Sequence, residues 1–378
     1  MPATNLGLPV VRREPLAPPV TLDPVARRVD VALRGLRIAA PVHREAGAGP
    51  SDDGHVLWDG EQAAIPVNPD SPYLVFDGRL LLDTGDAGPI DVGIDVAPVH
   101  RPRFYDLATA DGTSYEQIAR LHGRNVLATT VVQTCVRYDE DQRCRFCAIE
   151  ASLEAGATIA VKTPAMLAEV ARAARDLDGV EQMVMTTGTS NGWDRGAKHL
   201  ARCVQAVKEA VPELAIQVQI EPPRNLRAIQ DLHDAGAESI GIHVESMDDA
   251  VRRRWMPGKS TVTLDEYRAA WTEAVRVFGR NQVSTYLLVG LGEDPDDVPR
   301  WAEELIGLGV YPFVVPFRPL RGTLATDVDH VPAPQRSILE TVSRQVAALL
   351  VAAGMFGSDQ KAGCAACGAC GVLKTAGG

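Results

Sequence analysis

The 378-residue chain has no stretch near 18 uninterrupted apolar residues, so no transmembrane helix is expected. It has no basic excess: 38 Lys and Arg stand against 49 Asp and Glu, a formal charge of −11, and no basic stripe carries interleaved aromatics. Nucleic-acid binding through phosphate neutralisation is therefore not expected. The opening MPATNLGLPVVRREP lacks a basic region followed by an apolar core and a cleavage site, so a cytoplasmic location is expected. Seven cysteines are few for a disulfide framework in a chain long enough to bury a large core without staples. Metal or redox chemistry is the better expectation for them. Hydrophobic residues at 46% and charged residues at 23% are ordinary for a globular protein.

Residues 1–115 are rich in Pro, Gly and Asp, and their short apolar runs (YLVF, IDVGIDV) predict a small β-rich or irregular domain. Residues 42–56 read as a loop, and His43, His55 and His100 as solvated or core histidines rather than ligands. From 116 to 333 the pattern is regular. Apolar runs at 126–134, 182–187, 215–221, 239–244, 282–289 and 310–316 predict six buried strands. Helical segments lie between them, with Thr163-Pro164 as a start signal and Gly179, Pro212, Gly236, Gly279 and Gly309 as stops. Alternating apolar strands and amphipathic helices mean parallel βαβ units. The expected fold is α/β, a partial (β/α)6 TIM-type barrel with an N-terminal β-rich extension and a C-terminal Cys-rich tail. In such barrels chemistry sits at the C-terminal strand ends. Residues 334–378 add one helix, 334–353, and the tail GCAACGACGVLKTAGG.

The first strand, NVLATTVVQTC, runs to Cys135, and its loop adds Cys144 and Cys147 at C-x8-C-x2-C spacing. Three thiolates on one loop can hold three corners of an iron–sulfur cube or three positions on zinc. No further Cys or His follows in AIEASLEAGATIAVK, so the fourth position is open for a substrate or cofactor. A structural zinc scaffold is the alternative of a different class.

These residues resemble the radical S-adenosylmethionine (radical SAM) superfamily, whose usual loop is C-x3-C-x-aromatic-C after the first strand of a partial six-unit barrel. The chain keeps the ending Cys144-Arg145-Phe146-Cys147 and has a longer first spacing. The resemblance continues along strand ends over about residues 120–330. TTGTSN matches the glycine-rich stretch after the second strand, IGIHVES the polar-x-acidic element of the fourth, and YLLVGLGED the adenine-side element of the fifth. VVPFRPLRGT is similar to the sixth-strand end of biotin-synthase-like members. The GLG triplet alone is no dinucleotide fingerprint, and no Walker-type lysine follows it.

The resemblance implies a 4Fe–4S cluster at Cys135, Cys144 and Cys147 that chelates S-adenosylmethionine. It also implies cofactor contacts from Phe146, Gly188, Thr189, His243, Glu245, Leu288, Gly290 and Glu293. Alternation along the fourth strand would put His243 and Glu245 on one face, converging on the ribose. Further implications are a small-molecule substrate and an electron donor such as flavodoxin or ferredoxin. The long cysteine loop, the N-terminal extension and the C-terminal triplet are similar to radical SAM proteins encoded beside nitrilases. The extension is expected to close the barrel.

Cys364, Cys367 and Cys370 have C-x2-C-x2-C spacing in a glycine-rich tail, which favours an auxiliary iron–sulfur cluster over structural zinc. Such a cluster would either donate sulfur or relay electrons. A 20-residue helix descends about 30 Å from the barrel top. Ten extended residues span at most about 33–36 Å, so a return of the triplet to the mouth is possible and is the placement expected. Cys203 reads as a buried thiol within a helix. Glu221 and Tyr286 are the candidate catalytic residues, with Arg224 and Arg318 as further candidates at the mouth.

Overall fold

The computed structural model describes residues 22–38, 55–319, 323–327 and 335–377. His43 and residues 42–54 of the expected loop lie outside the described residues, as does part of the sixth-strand ending, 320–322.

Near the N-terminus, β1 (His55–Trp58), β2 (Glu61–Ala64), β3 (Tyr73–Phe76), β4 (Arg79–Asp83) and β5 (Pro89–Pro98) form an antiparallel sheet in the order β2-β1-β5-β4-β3. Here the helix Pro24–Arg34 escapes the sequence reading, although its signals are legible. Asp23 accepts from the amides of Val25 and Ala26, Pro24 opens the helix, and Gly35 ends it. Val31 of this helix joins the core of the small sheet, while Val25 and Val29 join the core of the main one. The expected boundary at residue 115 is thus bridged by a helix that packs both ways.

The second sheet contains β6 (Arg120–His122), β7 (Val126–Thr130), β8 (Gln182–Thr186), β9 (Ala215–Gln219), β10 (Ser239–Gly241), β11 (Val283–Val289) and β12 (Val310–Pro316). Strands β7 to β12 lie side by side in chain order, all parallel, and β6 pairs antiparallel on the outer edge of β7. This is an α/β fold with a curled half-barrel sheet. β11 and β12 are buried on both faces because helices cover them outside and the barrel interior fills within. The helices fall where their caps direct. Thr163 accepts from the Met166 amide, Gly179 ends Pro164–Asp178 with φ +67°, and Thr263 with Glu266 forms a reciprocal cap on Leu264–Phe278. Cys203 is fully buried on its helix, as expected. Two expected strands are shorter by three residues or more. The first ends at Thr130 rather than at residue 134, and the fourth at Gly241 rather than at 244, because both chains leave the ladder to build loops.

The tail takes a different route from the expected return over the mouth. After the helix Arg336–Ala352 it passes beneath the strands, bonding to side chains at their N-terminal ends. Asn281 Nδ2 donates to Phe356 O (2.8 Å), Gln282 Nε2 to Asp359 O (2.9 Å) and Ser239 Oγ to Ala362 O (2.8 Å), and the Gly363 amide donates to Gln182 Oε1 (2.7 Å). It then fills the gap between the sheet edges. The Ala64 amide of β2 donates to Ala369 O (2.9 Å), and Gly371 lies against Val314 of β12. The N-terminal sheet therefore covers the tail and the open edge; it does not lie over the mouth. The reason is polar matching: Gln182, Ser239, Asn281 and Gln282 offer partners to an otherwise unbonded backbone. Gly363 is the tightest point, with φ +112° and a site for Cβ 2.1–2.4 Å from the Gln217 amide atoms. Gly363→Ala should loosen the tail and cost about 1–3 kcal/mol, read as a lower thermal midpoint and faster proteolysis after residue 354.

Candidate active site

The loop that carries Cys135, Cys144 and Cys147 is laced on both sides by backbone bonds. Toward β8, the Gly188 amide donates to Val132 O (2.8 Å) and the Val136 amide to Thr189 O (2.9 Å). Toward the segment after β10, the Arg145 amide donates to Trp255 O and the Gly258 amide to Gln142 O (both 2.8 Å), and the Arg137 guanidinium donates to Gly258 O. Gly188 is required by this lacing, since a Cβ there would lie 2.1 Å from Thr134 O. Gly188→Ala should displace the strand-end contact and cost about 1–3 kcal/mol, seen as a lower thermal midpoint and lower iron uptake on reconstitution.

The Cys135 amide donates to Glu150 Oε1 (3.1 Å) and the Cys147 amide to Cys144 O (2.9 Å), which fixes the loop's turns. Burial pushes the Cys144 thiol well up and the Cys147 thiol up to about 11. Among the described residues no three His, Cys, Asp or Glu side chains converge as one metal ion would require. The donor set suits a cube, whose corner irons take one thiolate each and space them more widely than a single tetrahedral ion does.

Beside the loop lies an apolar wall that brings two of the expected cofactor residues together. Phe146 and Leu288 pack with Cys144 on Trp255, Met256, Leu291 and Phe317. Phe146 meets Phe317 edge-on with ring centroids 6.2 Å apart, and Trp255 Nε1 donates to Leu291 O (2.6 Å). Gly290 and Glu293 meet each other. The Glu293 carboxylate accepts from the amides of Gly290 (2.6 Å) and Leu291 (2.8 Å), stapling the turn after β11.

His243 and Glu245 do not share a face as the strand period predicts. The continuous ladder ends at Gly241, and a single parallel bridge to β11 forms again at Glu245–Leu287, four residues on against three on β11, where Glu245 has φ +62°; this slip breaks the alternation. Glu245 is buried on Lys259, with Nζ 2.7 Å from its carboxylate. Burial raises the Glu245 pKa against the pull of that ammonium. His243 instead stacks on Tyr286, centroids 4.0 Å apart and rings 4° from parallel, and its Nδ1 accepts from the Tyr286 amide (3.3 Å). Burial pulls its pKa down to about 3, so the ring is neutral and Nε2 carries the proton. That Nε2 is buried without a partner, against Gly241 and Gln219 in the barrel interior.

Tyr286 projects into the half-barrel and its hydroxyl donates to Cys364 Sγ at 2.7 Å. Tyr286, Gln219, Thr130, Thr186, Cys364 and Cys367 are among the residues lining a cavity of about 260 Å³. The tail triplet thus reaches the cavity from below and from the open edge. Glu221 lies elsewhere, paired with Arg137 of the cysteine loop (3.2 Å) and Arg195 (3.8 Å), where it ties β9 to that loop. Arg224 is exposed, and Arg318 Nη1 turns toward Ala64 O (3.5 Å), on the tail side. Sequence reasoning missed Lys259, Arg137, His122 and the cavity-lining Lys162. Lys162 is held by Gln133 Oε1, Thr158 Oγ1 and Ile159 O, and burial lowers its pKa to about 7. None of these sits in a recognisable motif, and each has at least one partner from another segment: Glu245 for Lys259, Glu221 for Arg137, Cys370 for His122 and Gln133 for Lys162.

A parallel half-barrel with three thiols on the loop after its first parallel strand, an apolar wall beside them and a cavity within has the parts of a barrel that could hold a metal cofactor at its strand ends. Residues 141–305 match the family model of the radical SAM superfamily, so this part of the chain is similar to a radical SAM domain. The match includes Cys144 and Cys147 and begins after Cys135, where the first spacing is unusually long. The chain is 28% identical over 149 residues to bacteriochlorophyllide c C-7(1)-hydroxylase of Chlorobaculum limnaeum, covering 39% of this chain and 36% of that protein. It is 23% identical over 237 residues to lipoyl synthase of Ectopseudomonas mendocina (strain ymp), covering 56% and 63%. It thus spans less than two thirds of either relative. Among solved structures, methylornithine synthase aligns with a TM-score of 0.47 at 15% identity, over 66% of this chain and 71% of that one. No helix among the described residues is long and apolar enough to cross a membrane.

Proposed function

We propose that the whole chain is a radical SAM enzyme acting on a small molecule held in the half-barrel cavity. The observation that carries this reading is the thiol loop laced by backbone bonds to the ends of the β8 and β10 segments, directly beside the Phe146–Leu288 wall. Cys135, Cys144 and Cys147 would hold a 4Fe–4S cluster with one open iron. Bound there, it supplies the electron that splits S-adenosylmethionine into methionine and a 5′-deoxyadenosyl radical. The protein's own work is positioning and exclusion of water. The strand-end backbone at Gly188 and Thr189 would receive the methionyl end. Phe146 and Leu288 would pack against the adenine beside the turn that Gly290 and Glu293 staple. Glu245 and the proton-bearing Nε2 of His243 would meet the ribose side from separate supports. Tyr286 orients groups inside the cavity, and Glu221 positions the cysteine loop through Arg137.

Cys364, Cys367 and Cys370 would hold an auxiliary cluster at the cavity floor. Sulfur donation from that cluster is the second reading, favoured by Cys364 and Cys367 lining the cavity itself. A flavodoxin or ferredoxin would be the reductant, the location would be cytoplasmic, and the metabolism would be that of nitrile-related gene neighbourhoods. Anaerobic reconstitution followed by dithionite and S-adenosylmethionine tests the reading. Iron and sulfide incorporation with release of 5′-deoxyadenosine is the expected result; protein that takes up zinc alone and releases none would overturn it.

A further inference from the structure

The tail triplet carries information on its own coordination. C-x2-C-x2-C wraps three corners of a cube and leaves the fourth to a ligand from another segment. Of the remaining cysteines, Cys135, Cys144 and Cys147 belong to the loop at the opposite strand ends. Cys203 is buried on its helix beside His199. An imidazole does reach the triplet. His122 Nε2, at the end of the edge strand β6, lies 3.9 Å from Cys370 Sγ. His122 also lines the cavity with Cys364 and Cys367.

The surroundings are built for negative charge. Arg28, on the helix Pro24–Arg34, is 4% exposed. Its Nη2 donates to Ala369 O (3.1 Å), and its Nη1 is buried with no partner. Its guanidinium lies over the Trp58 ring (5.6 Å to the centroid), and among the described residues no carboxylate is paired with it, while Arg318, of like sign, and Cys370 lie near. A buried guanidinium without a counter-charge is strongly destabilising. Cys364 Sγ accepts from both Tyr286 Oη (2.7 Å) and Gln219 Nε2 (3.4 Å), a donor pair suited to a thiolate rather than to a weakly accepting thiol. Three thiolates on an iron–sulfur cube meet both requirements at once.

We propose that Cys364, Cys367, Cys370 and His122 Nε2 together ligate the auxiliary 4Fe–4S cluster, with Arg28 as its buried counter-cation. This rests on the reading of the tail triplet as a cluster site. All four corners are then filled from the protein, so a substrate in the cavity meets the cluster through its sulfides or its electrons and not through an open iron. Exchange of thiolate for imidazole on a cluster iron raises its potential.

The experiment uses the full chain, labelled with ¹⁵N-histidine, reconstituted and reduced without S-adenosylmethionine. The first cluster then has no nitrogen ligand. A strong ¹⁵N hyperfine coupling is expected on part of the reduced signal. In His122→Cys the coupling should vanish while about eight irons per chain remain, and the potential of that component should fall. His122→Asn serves as the second variant, expected to lose the coupling and yield a three-iron signal on oxidation. Cys364→Ala/Cys367→Ala/Cys370→Ala should lower iron by about four per chain. About eight irons with no strong nitrogen coupling, or a coupling unchanged in the His122 variants, would overturn histidine ligation and leave the cluster reading intact. Iron unchanged by the triple cysteine substitution, or zinc bound there instead, would overturn the cluster reading and the ligation with it.

Discussion

Substituting alanine for both Cys144 and Cys147 should abolish 5′-deoxyadenosine formation completely while leaving the protein folded. Two of three thiols are lost from a cube that needs all three, and the fourth iron cannot be presented to S-adenosylmethionine without them. The loop itself should persist, because its shape is held by main-chain bonds. The Gly188, Val136, Arg145 and Gly258 amides donate to carbonyls on or beside it, independently of the sulfurs. Circular dichroism and the thermal midpoint should therefore change little, while iron falls by about four per chain on reconstitution. Retention of full 5′-deoxyadenosine release in the double variant would move the active cluster to the tail triplet and defeat the assignment of this loop.

Glu245→Ala should have the largest effect on stability. Its carboxylate and Lys259 Nζ lie 2.7 Å apart with both side chains 12% exposed, so deleting one charge strands the other inside the protein. Breaking a buried pair from one side costs about 3–5 kcal/mol, and the unfolding midpoint in urea should fall accordingly. Glu245→Gln keeps an acceptor for Lys259 and should cost less. That milder variant tests the ribose contact separately. Loss of one charge-assisted hydrogen bond is worth about 1.5–3 kcal/mol, a drop of roughly 10- to 150-fold in affinity for S-adenosylmethionine. A folded Glu245→Gln that binds the cofactor as tightly as the parent would leave Glu245 as a structural partner of Lys259 alone.

The six-strand α/β repeat was legible because buried parallel strands need continuous apolar runs and their helices carry caps that act locally. Thr163, Gly179, Gly279 and Gly309 begin or end helices in the structure where they do in the sequence. The thiol loop was legible for the same reason, since C-x2-C and the aromatic between them lie within four residues. Alternation failed at His243 and Glu245 because it holds only while a ladder holds. That ladder is interrupted between Gly241 and the single bridge at Glu245–Leu287, and the left-handed turn at Glu245 sends the two side chains to different partners. Chain length allowed the tail to return to the mouth, but the decision lay with partners scattered over the fold. Gln182, Ser239, Asn281 and Gln282 bond its backbone beneath the strands, and β2 bonds it at the open edge. Arg28 and His122 stand 94 residues apart (122 − 28), and each is more than 240 residues from Cys370. Local pattern determined which residues can ligate and which segments pair; the meeting of Arg28, His122 and Cys370 arises only when burial of separate elements closes the half-barrel's open side.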